Sequence, residues 1–419
     1  MFKRLLALAA AVMLLASAPA ALAQQEQVTL QVAYWGSTTE LEIKEALFQK
    51  FEETHPGIKL ERTYTNGGEY PTKLQTLISA NMAPDVMAIA SDVMYPFKSL
   101  GIFEDLTPYM EKDGLLDKYE EAGISTFTYT DGTIQAAPYV SKVFAIAYNK
   151  ALFDAAGLAY PTNDWTEDEM LDMARQLTKG EGVEKQFGFY WLWSPKEIIR
   201  NLYGVQPVYD VASMTMQAKD NPSFRAALAL LHKTIAEEGI SPDPTAEKSI
   251  GGGFETGKFA MSMVLTSHIT NLTNLIGDSF AWDTVMLPVN ETFGRWHSTL
   301  RLDGYTMSAK SEKKEAAWEL IKFLTANEEI VEESAQFGLP MLKSVLEDEQ
   351  KMTALSSNAN IDINNFVKMV KYAVPFENAG IWAEVNNVIK DKEDLYLLDE
   401  LDLDTAIAQM DEECAALLP

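Results

Sequence analysis

The chain has 419 residues, 47% hydrophobic and 23% charged, which is too long for one typical core and suits two lobes. This balance excludes a disordered chain and a bundle of membrane helices. Its formal net charge of −27 leaves no basic surface for phosphates and argues against a nucleic-acid partner, while neutral or cationic ligands stay compatible with it.

Lys3 and Arg4, the apolar run Leu5 to Leu15 and the small-x-small site Ala21-Leu22-Ala23 predict a cleavable export signal over 1–23. No cysteine follows it in lipobox position, so a free exported protein is expected rather than a lipid-anchored one. No second long apolar stretch is present, and nothing is expected to span the membrane. The single cysteine, Cys414, has no internal partner, so the fold must rest on its core.

Val28, Leu30, Val32 and Tyr34 alternate with other residues as in a strand, and Trp35 closes it. Leu41, Ile43, Leu47, Phe48 and Phe51 follow at helical spacing, stopped by His55-Pro56-Gly57. Strand Ile58 to Tyr64, helix Tyr70 to Asn81 and buried strand Asp85 to Ala90 come next. This alternation predicts a parallel sheet covered by helices, the α/β class. Ligands in such sheets bind beyond the carboxyl ends of the strands, which places Trp35 and Asp92 for a site.

Asp131-Gly132 marks a turn, Val143 to Tyr148 a buried strand, and Lys150 to Ala156 a short helix between the N-cap Asn149 and Gly157. Thr166 and Glu169 have capping-box spacing at the start of a helix running to Leu177. Next come the aromatic run Phe187 to Trp193, a helix Pro222 to Glu238 closed by Gly239, Pro242 and Pro244, a turn at Gly251-Gly252-Gly253, and the strand Ala260 to Leu265. Trp282 to Val289 is strand-like, and Asp303-Gly304-Tyr305 precedes a short strand. Helices are predicted over Lys313 to Thr325, Glu347 to Ala354, Ile361 to Val370, Trp382 to Ile389 and Asp404 to Leu417.

The four histidines lack zinc-ligand spacing, and no P-loop, dinucleotide or G-x-S-x-G pattern is present, so no metal or cofactor is expected. Asp402 and Asp404 read as a solvated acidic face rather than a calcium loop.

Five segments in order carry a resemblance: FQKFEETHPGIKLE from Phe48, LISANMAPDVMAIA from Leu77, DGTIQAAPYVSKVFAIAYNKALFDAAGL from Asp131, FETGKFAMSM from Phe254 and SAKSEKKEAAWELIKFLTANEE from Ser308. Together the chain resembles the solute-binding proteins of ABC importers, in the sugar-binding family that includes the maltose-binding proteins. The resemblance implies a two-lobed periplasmic-binding-protein fold with the ligand in the cleft, no enzymatic chemistry, and delivery to the membrane permease by a periplasmic monomer. Crossings are expected near Ser141 to Val143, Ser298 to Leu300 and Leu346 to Lys351. The lobes would then be 24–140 with 301–345, and 141–297 with 352–419.

The resemblance also implies site residues. Sugar C–H faces stack on indole and phenol rings while hydroxyls need charged or amide partners. Asp92 falls where the family grips hydroxyls with a carboxylate, the other reading being a helix cap. Trp35 matches the aromatic after the first strand, or is a core residue. Tyr139 lines the cleft or packs the hinge. Of Trp191 and Trp193, one faces the cleft and one packs. Trp382 matches a C-terminal stacking tryptophan. His268 stands where many members carry a stacking tryptophan, a departure for which Trp296 and His297 would compensate. Arg295, Arg301 and Asp303 would bind hydroxyls or an acidic sugar, or form a salt-bridge cluster. Two rival functions remain: binding a polyamine or other cation in an acidic aromatic box, and a secreted glycan-active enzyme with two carboxylates across the cleft.

Overall fold

The computed structural model describes residues 27–417 except 37, 92, 93, 95, 96, 98, 99, 130, 192–201, 205–208, 211–214, 357, 359 and 376–381. The expectations for the export signal, Asp92 and Trp193 lie outside these residues, and of Trp382 only the backbone is described.

The strands of the two main sheets, in chain order, are β1 (Val28–Trp35), β2 (Ile58–Thr65), β3 (Val86–Ala90), β4 (Ala137–Lys142), β5 (Phe144–Asn149), β6 (Phe187–Tyr190), β7 (Phe259–Leu265), β8 (Trp282–Val285), β9 (Ser298–Met307), β10 (Leu339–Pro340) and β11 (Ala373–Pro375). The first sheet has the order β10-β4-β9-β3-β1-β2, with β11 joined to the start of β9. Its β1, β2 and β3 are parallel, as their helical crossovers Thr38–Thr54 and Tyr70–Ser79 require. β9 runs antiparallel to both β3 and β4, so the sheet is mixed rather than purely parallel. The second sheet has the order β8-β5-β7-β6, and every residue of β5 and β7 is buried, which explains why their sequences are apolar apart from Asn149 and Ser262.

Each sheet carries its own core. Around the first lie Leu30, Val32, Phe48, Phe51, Trp318 and Ile321; around the second lie Ile146, Phe153, Phe189, Leu228, Met261 and Ile407. The chain steps from one sheet to the other at Val143, between β4 and β5. There the Phe144 amide donates to Ser298 Oγ at 2.7 Å, tying this step to the start of β9.

Local signals account for most element ends. Asn149 accepts from the Ala151 and Leu152 amides, Gly157 takes φ 68°, and Thr166 and Glu169 close a full capping box. Two expectations are corrected. Asp303-Gly304-Tyr305 does not precede a short strand but lies inside the ten-residue β9, at a bulge. A Cβ on Gly304 would sit 2.7 Å from the Ala137 carbonyl oxygen and 2.7 Å from the Phe127 ring, so close packing demands this glycine. Pro244 does not merely stop a helix; it opens another, Pro244–Ile250, capped by Asp243. Helix Ile269–Ile276, in a stretch for which the sequence suggested no element, has Ile269, Leu272 and Ile276 buried.

Near the C-terminus, Asp402 caps helix Leu403–Ala416 and Asp404 pairs with Arg225. Cys414 packs inside this helix, and burial pushes its thiol up to about 12.

Candidate functional site

Residues from both sheets face one cavity of about 300 Å³. Trp35 and Ala90 come from the carboxyl ends of β1 and β3, and Gly67 and Tyr70 from the turn and helix after β2. Lys142 ends β4, and Arg301 and Asp303 lie on β9. The second sheet contributes Leu265 at the end of β7, with Ser267 just beyond.

The indole of Trp35 is held from behind. Its centroid lies 4.8 Å from that of Tyr70, whose hydroxyl reaches the carbonyls of Ala33 and Ala88 at 3.1 and 2.9 Å. Lys44 Nζ donates to the Trp35 carbonyl at 2.7 Å and sits 5.3 Å from the ring centroid. Burial lowers the pKa of Lys44, and the charges of Glu40 and Asp303 act against that shift. The result is a fixed, half-buried aromatic surface bordered by charged hydrogen-bonding groups.

Asp303 is almost buried and its carboxylate lies 2.9 Å from Lys142 Nζ. Burial alone would lower the pKa of Lys142; the Asp303 charge and hydrogen bond outweigh it, and the lysine ends above its ordinary value.

A larger cavity, of about 810 Å³, lies against the second sheet, with Tyr190, Trp191, Glu247, Glu255 and His268 among its walls. Its described walls include no residue of the first sheet, whereas the smaller cavity draws on both sheets, which makes the smaller one the candidate centre of the site. His268 on its wall follows directly in the chain on Ser267, which lines the smaller cavity. Burial first, then the charges of Lys142 and Arg301, hold the His268 ring down at about 4. Because this pKa falls below the unfolded value near 6.5, unfolding takes up a proton between them. The His268 contribution to stability is complete above pH 6.5 and is lost as pH falls towards 4. Urea melts at pH 4.5 and 7 should show that loss, and His268→Gln should flatten it; an unchanged slope in the variant would refute the assignment.

Among the expected residues, Trp35, Arg301 and Asp303 converge on the smaller cavity, and Trp191 and His268 line the larger. The Trp191 ring is mostly packed, stacking on Trp296 at 5.5 Å and donating from Nε1 to Thr234. Three placements are corrected. Trp296 is fully buried and its Nε1 donates to Glu167 at 2.7 Å, because the Glu167 carboxylate also gathers Tyr203 and Asn290 into a core network. Tyr139 is buried in the first core, edge-on to Tyr305 at 5.2 Å. Arg295 donates to the carbonyls of Leu287 and Asn163 and so braces the second lobe. Sequence reasoning passed over Lys142, Lys44, Tyr70 and Ser267. Lys142 stood within the crossing segment, but only strand register shows that it meets Asp303.

Residues 35–330 match the family of bacterial extracellular solute-binding proteins. The chain belongs to this family. A binding protein of Brucella abortus is 26% identical over 331 residues, covering 76% of this chain and 75% of the relative. Among solved solute-binding proteins, the cyclic α-maltosyl-1,6-maltose binding protein of Arthrobacter globiformis superposes with a TM-score of 0.79 at 17% identity, covering 93% of this chain and 99% of that one. The substrate-binding protein of a Listeria monocytogenes ABC system, in complex with cycloalternan, gives 0.77 at 20% identity over 93% and 99%. The GacH receptor of Streptomyces glaucescens, solved unliganded and with acarbose, gives 0.75 at 21% identity over 94% and 98%. The two-lobed α/β fold is thus shared with extracellular solute-binding proteins. Among the described residues no helix is long and apolar enough to cross a membrane.

Proposed function

We propose that this solute-binding protein captures a sugar between its lobes and delivers it to the permease of an ABC importer in the periplasm, acting as a monomer after signal cleavage. One observation carries this reading. The fixed indole of Trp35 shares a cavity with Lys142, Arg301 and Asp303, and both sheets build its walls. A pyranose presents just such a pair of surfaces, a flat C–H face and a rim of hydroxyls. The sugar ligands of the Arthrobacter, Listeria and Streptomyces proteins support the same assignment. Binding would shift the population towards the closed form by rotation about the crossings near Val143, Ser298 and Leu346. The lobes would comprise 24–140 with 301–345, and 141–297 with 352–419.

The polyamine reading needs carboxylates around an aromatic box. The described wall of the interlobe cavity supplies one, Asp303, already paired with Lys142. A glycosidase would need a second carboxylate across from it, and the described groups there are Leu265 and Ser267.

A thermal-shift screen of saccharides and polyamines tests the proposal, since a ligand bound by the native state raises the melting temperature. Trp35→Ala should weaken sugar binding by about 30-fold, on the order of 2 kcal/mol for an aromatic anchor. The unliganded melting temperature should change little, because Trp35 is only half buried. A screen in which polyamines alone shift the melt would defeat the sugar assignment.

A further inference from the structure

Strand β2 ends at Thr65, and the chain turns through Asn66, Gly67 and Gly68 towards helix Tyr70–Ser79. Asn66 and Gly67 are both exposed to solvent, and Gly67 lines the interlobe cavity. They form the one Asn-Gly pair of the sequence; every other asparagine is followed by a residue with a side chain. The turn supports the aromatic wall in two ways. The Asn66 carbonyl accepts from the Glu69 and Tyr70 amides at 3.2 and 3.0 Å and so fixes the first turn of the helix, whose Tyr70 ring backs Trp35. Gly67 itself lies against the indole, where a Cβ would stand 3.5 Å from Trp35 Cδ1.

The same turn sets a nucleophile beside an electrophile. The Glu69 amide also donates to Asn66 Oδ1 at 3.1 Å, which draws electron density from the side-chain carbonyl carbon. Among the described residues none accepts a hydrogen bond from the Gly67 amide. With no side chain on Gly67, its nitrogen has an open approach to Asn66.

We propose that Asn66 is a site of spontaneous deamidation that loosens the wall of the ligand cavity. The Gly67 nitrogen gives up its proton to water and bonds to Asn66 Cγ, the Cγ–Nδ2 bond breaks, and ammonia leaves. Water then opens the cyclic imide at either carbonyl, giving aspartate or isoaspartate; no oxidant or reductant takes part. In isoaspartate the main chain runs through Cβ and Cγ and is one carbon longer. The oxygen that held the Glu69 and Tyr70 amides then leaves the main chain as part of a side carboxylate. Gly67 can no longer keep its place against the indole while the helix keeps its start.

Ageing the mature protein in warm, mildly alkaline buffer provides the test, with peptide mapping as the first readout. Because glycine alone leaves the attacking nitrogen unshielded, Asn66 should convert roughly ten-fold faster than any other asparagine. Its peptide should gain the mass of an amide turned to an acid and accept a methyl group from an isoaspartyl methyltransferase. Gly67→Ala should stop the conversion and keep the parent's melting temperature, since 3.5 Å is an ordinary contact. Asn66→Gln, which would have to close a larger ring, should stop it too. In the aged parent the Tyr70 amide should exchange its hydrogen at least roughly three-fold faster, as expected where a helix start opens locally. Acrylamide should also quench Trp35 more strongly, read as the difference from Trp35→Phe. Aged Gly67→Ala protein should show neither change. Conversion of Asn66 at the pace of the other asparagines overturns the proposal, as does fast conversion that leaves the Tyr70 amide and the Trp35 ring unaltered. These readouts need no ligand, so their failure would leave the sugar reading intact.

Discussion

Gly188→Ala should lower the melting temperature by about 10 °C or prevent soluble expression. Gly188 lies in β6, where the sheet meets helix Glu167–Leu177. A Cβ built there falls 1.9 Å from the Ala174 carbonyl oxygen and 2.5 Å from its carbon. Both are backbone atoms, so no side chain can turn away. The helix would have to retreat, opening the packing of Met170, Leu171, Ala174 and Leu177. It would also break a bridge in which Thr178 Oγ1 accepts from the Gly188 amide at 3.1 Å and donates to Ala174 at 2.8 Å. Overpacking of this severity belongs at or above ~3 kcal/mol, a large share of the ~5–15 kcal/mol that holds a typical domain. At ~2–4 °C per kcal/mol for lobes of this size, the shift follows. Gly57→Ala is the control, since nothing lies within 4 Å of a Cβ there. A Gly188→Ala protein melting within 2 °C of the parent would show that the close approach does not exist.

Local chemistry made much of the scaffold legible. Asn149, Gly157 and the Thr166–Glu169 box fix helix ends by contacts a few residues long, and such contacts are written in the sequence itself. Where tertiary packing decides, the same letters mislead. Asp303-Gly304-Tyr305 reads as the approach to a short strand, yet it lies inside β9, where Gly304 lets Phe127 and the Ala137 carbonyl come close. The run from Ile269 to Ile276 is rich in β-branched residues and hides a helix whose buried face shows only as Ile269, Leu272 and Ile276. The site divides in the same way. That Trp35 lines the cavity was legible because the carboxyl end of a parallel strand is a place with chemical meaning. Trp296 and Tyr139 were not separated from it, because an aromatic beside a crossing looks alike whether it faces the cleft or the core. What buries Trp296 is the Glu167 carboxylate, 129 residues away in the chain. What recruits Lys142 is the register of β4 on β9.

That register leads to the second large effect: Asp303→Ala should abolish tight ligand binding and destabilise the protein by about 2–3 kcal/mol at pH 7. Removing one partner of a buried ion pair costs ~3–5 kcal/mol, reduced here because the Lys142 side chain keeps some exposure. The loss also leaves Lys142 and Arg301 directly opposed with no carboxylate from β9 between them. In the parent, Asp303 holds the Lys142 pKa above the unfolded value of 10.5, so its contribution is complete below pH 10.5 and fades as pH rises through the folded value. In the variant, burial acts with much less opposition and draws that pKa below 10.5, so the unfolded chain binds the extra proton and stability rises with pH. The two proteins should therefore differ most near neutrality, and the gap should close only as pH rises past 10.5 and through the raised folded pKa of Lys142 in the parent. Urea melts at pH 7 and at pH 9 to 11 follow the gap. A variant within 0.5 kcal/mol of the parent at pH 7, or a gap that does not narrow, would mean that the Lys142–Asp303 pair is screened by water and not a fixed part of the cleft.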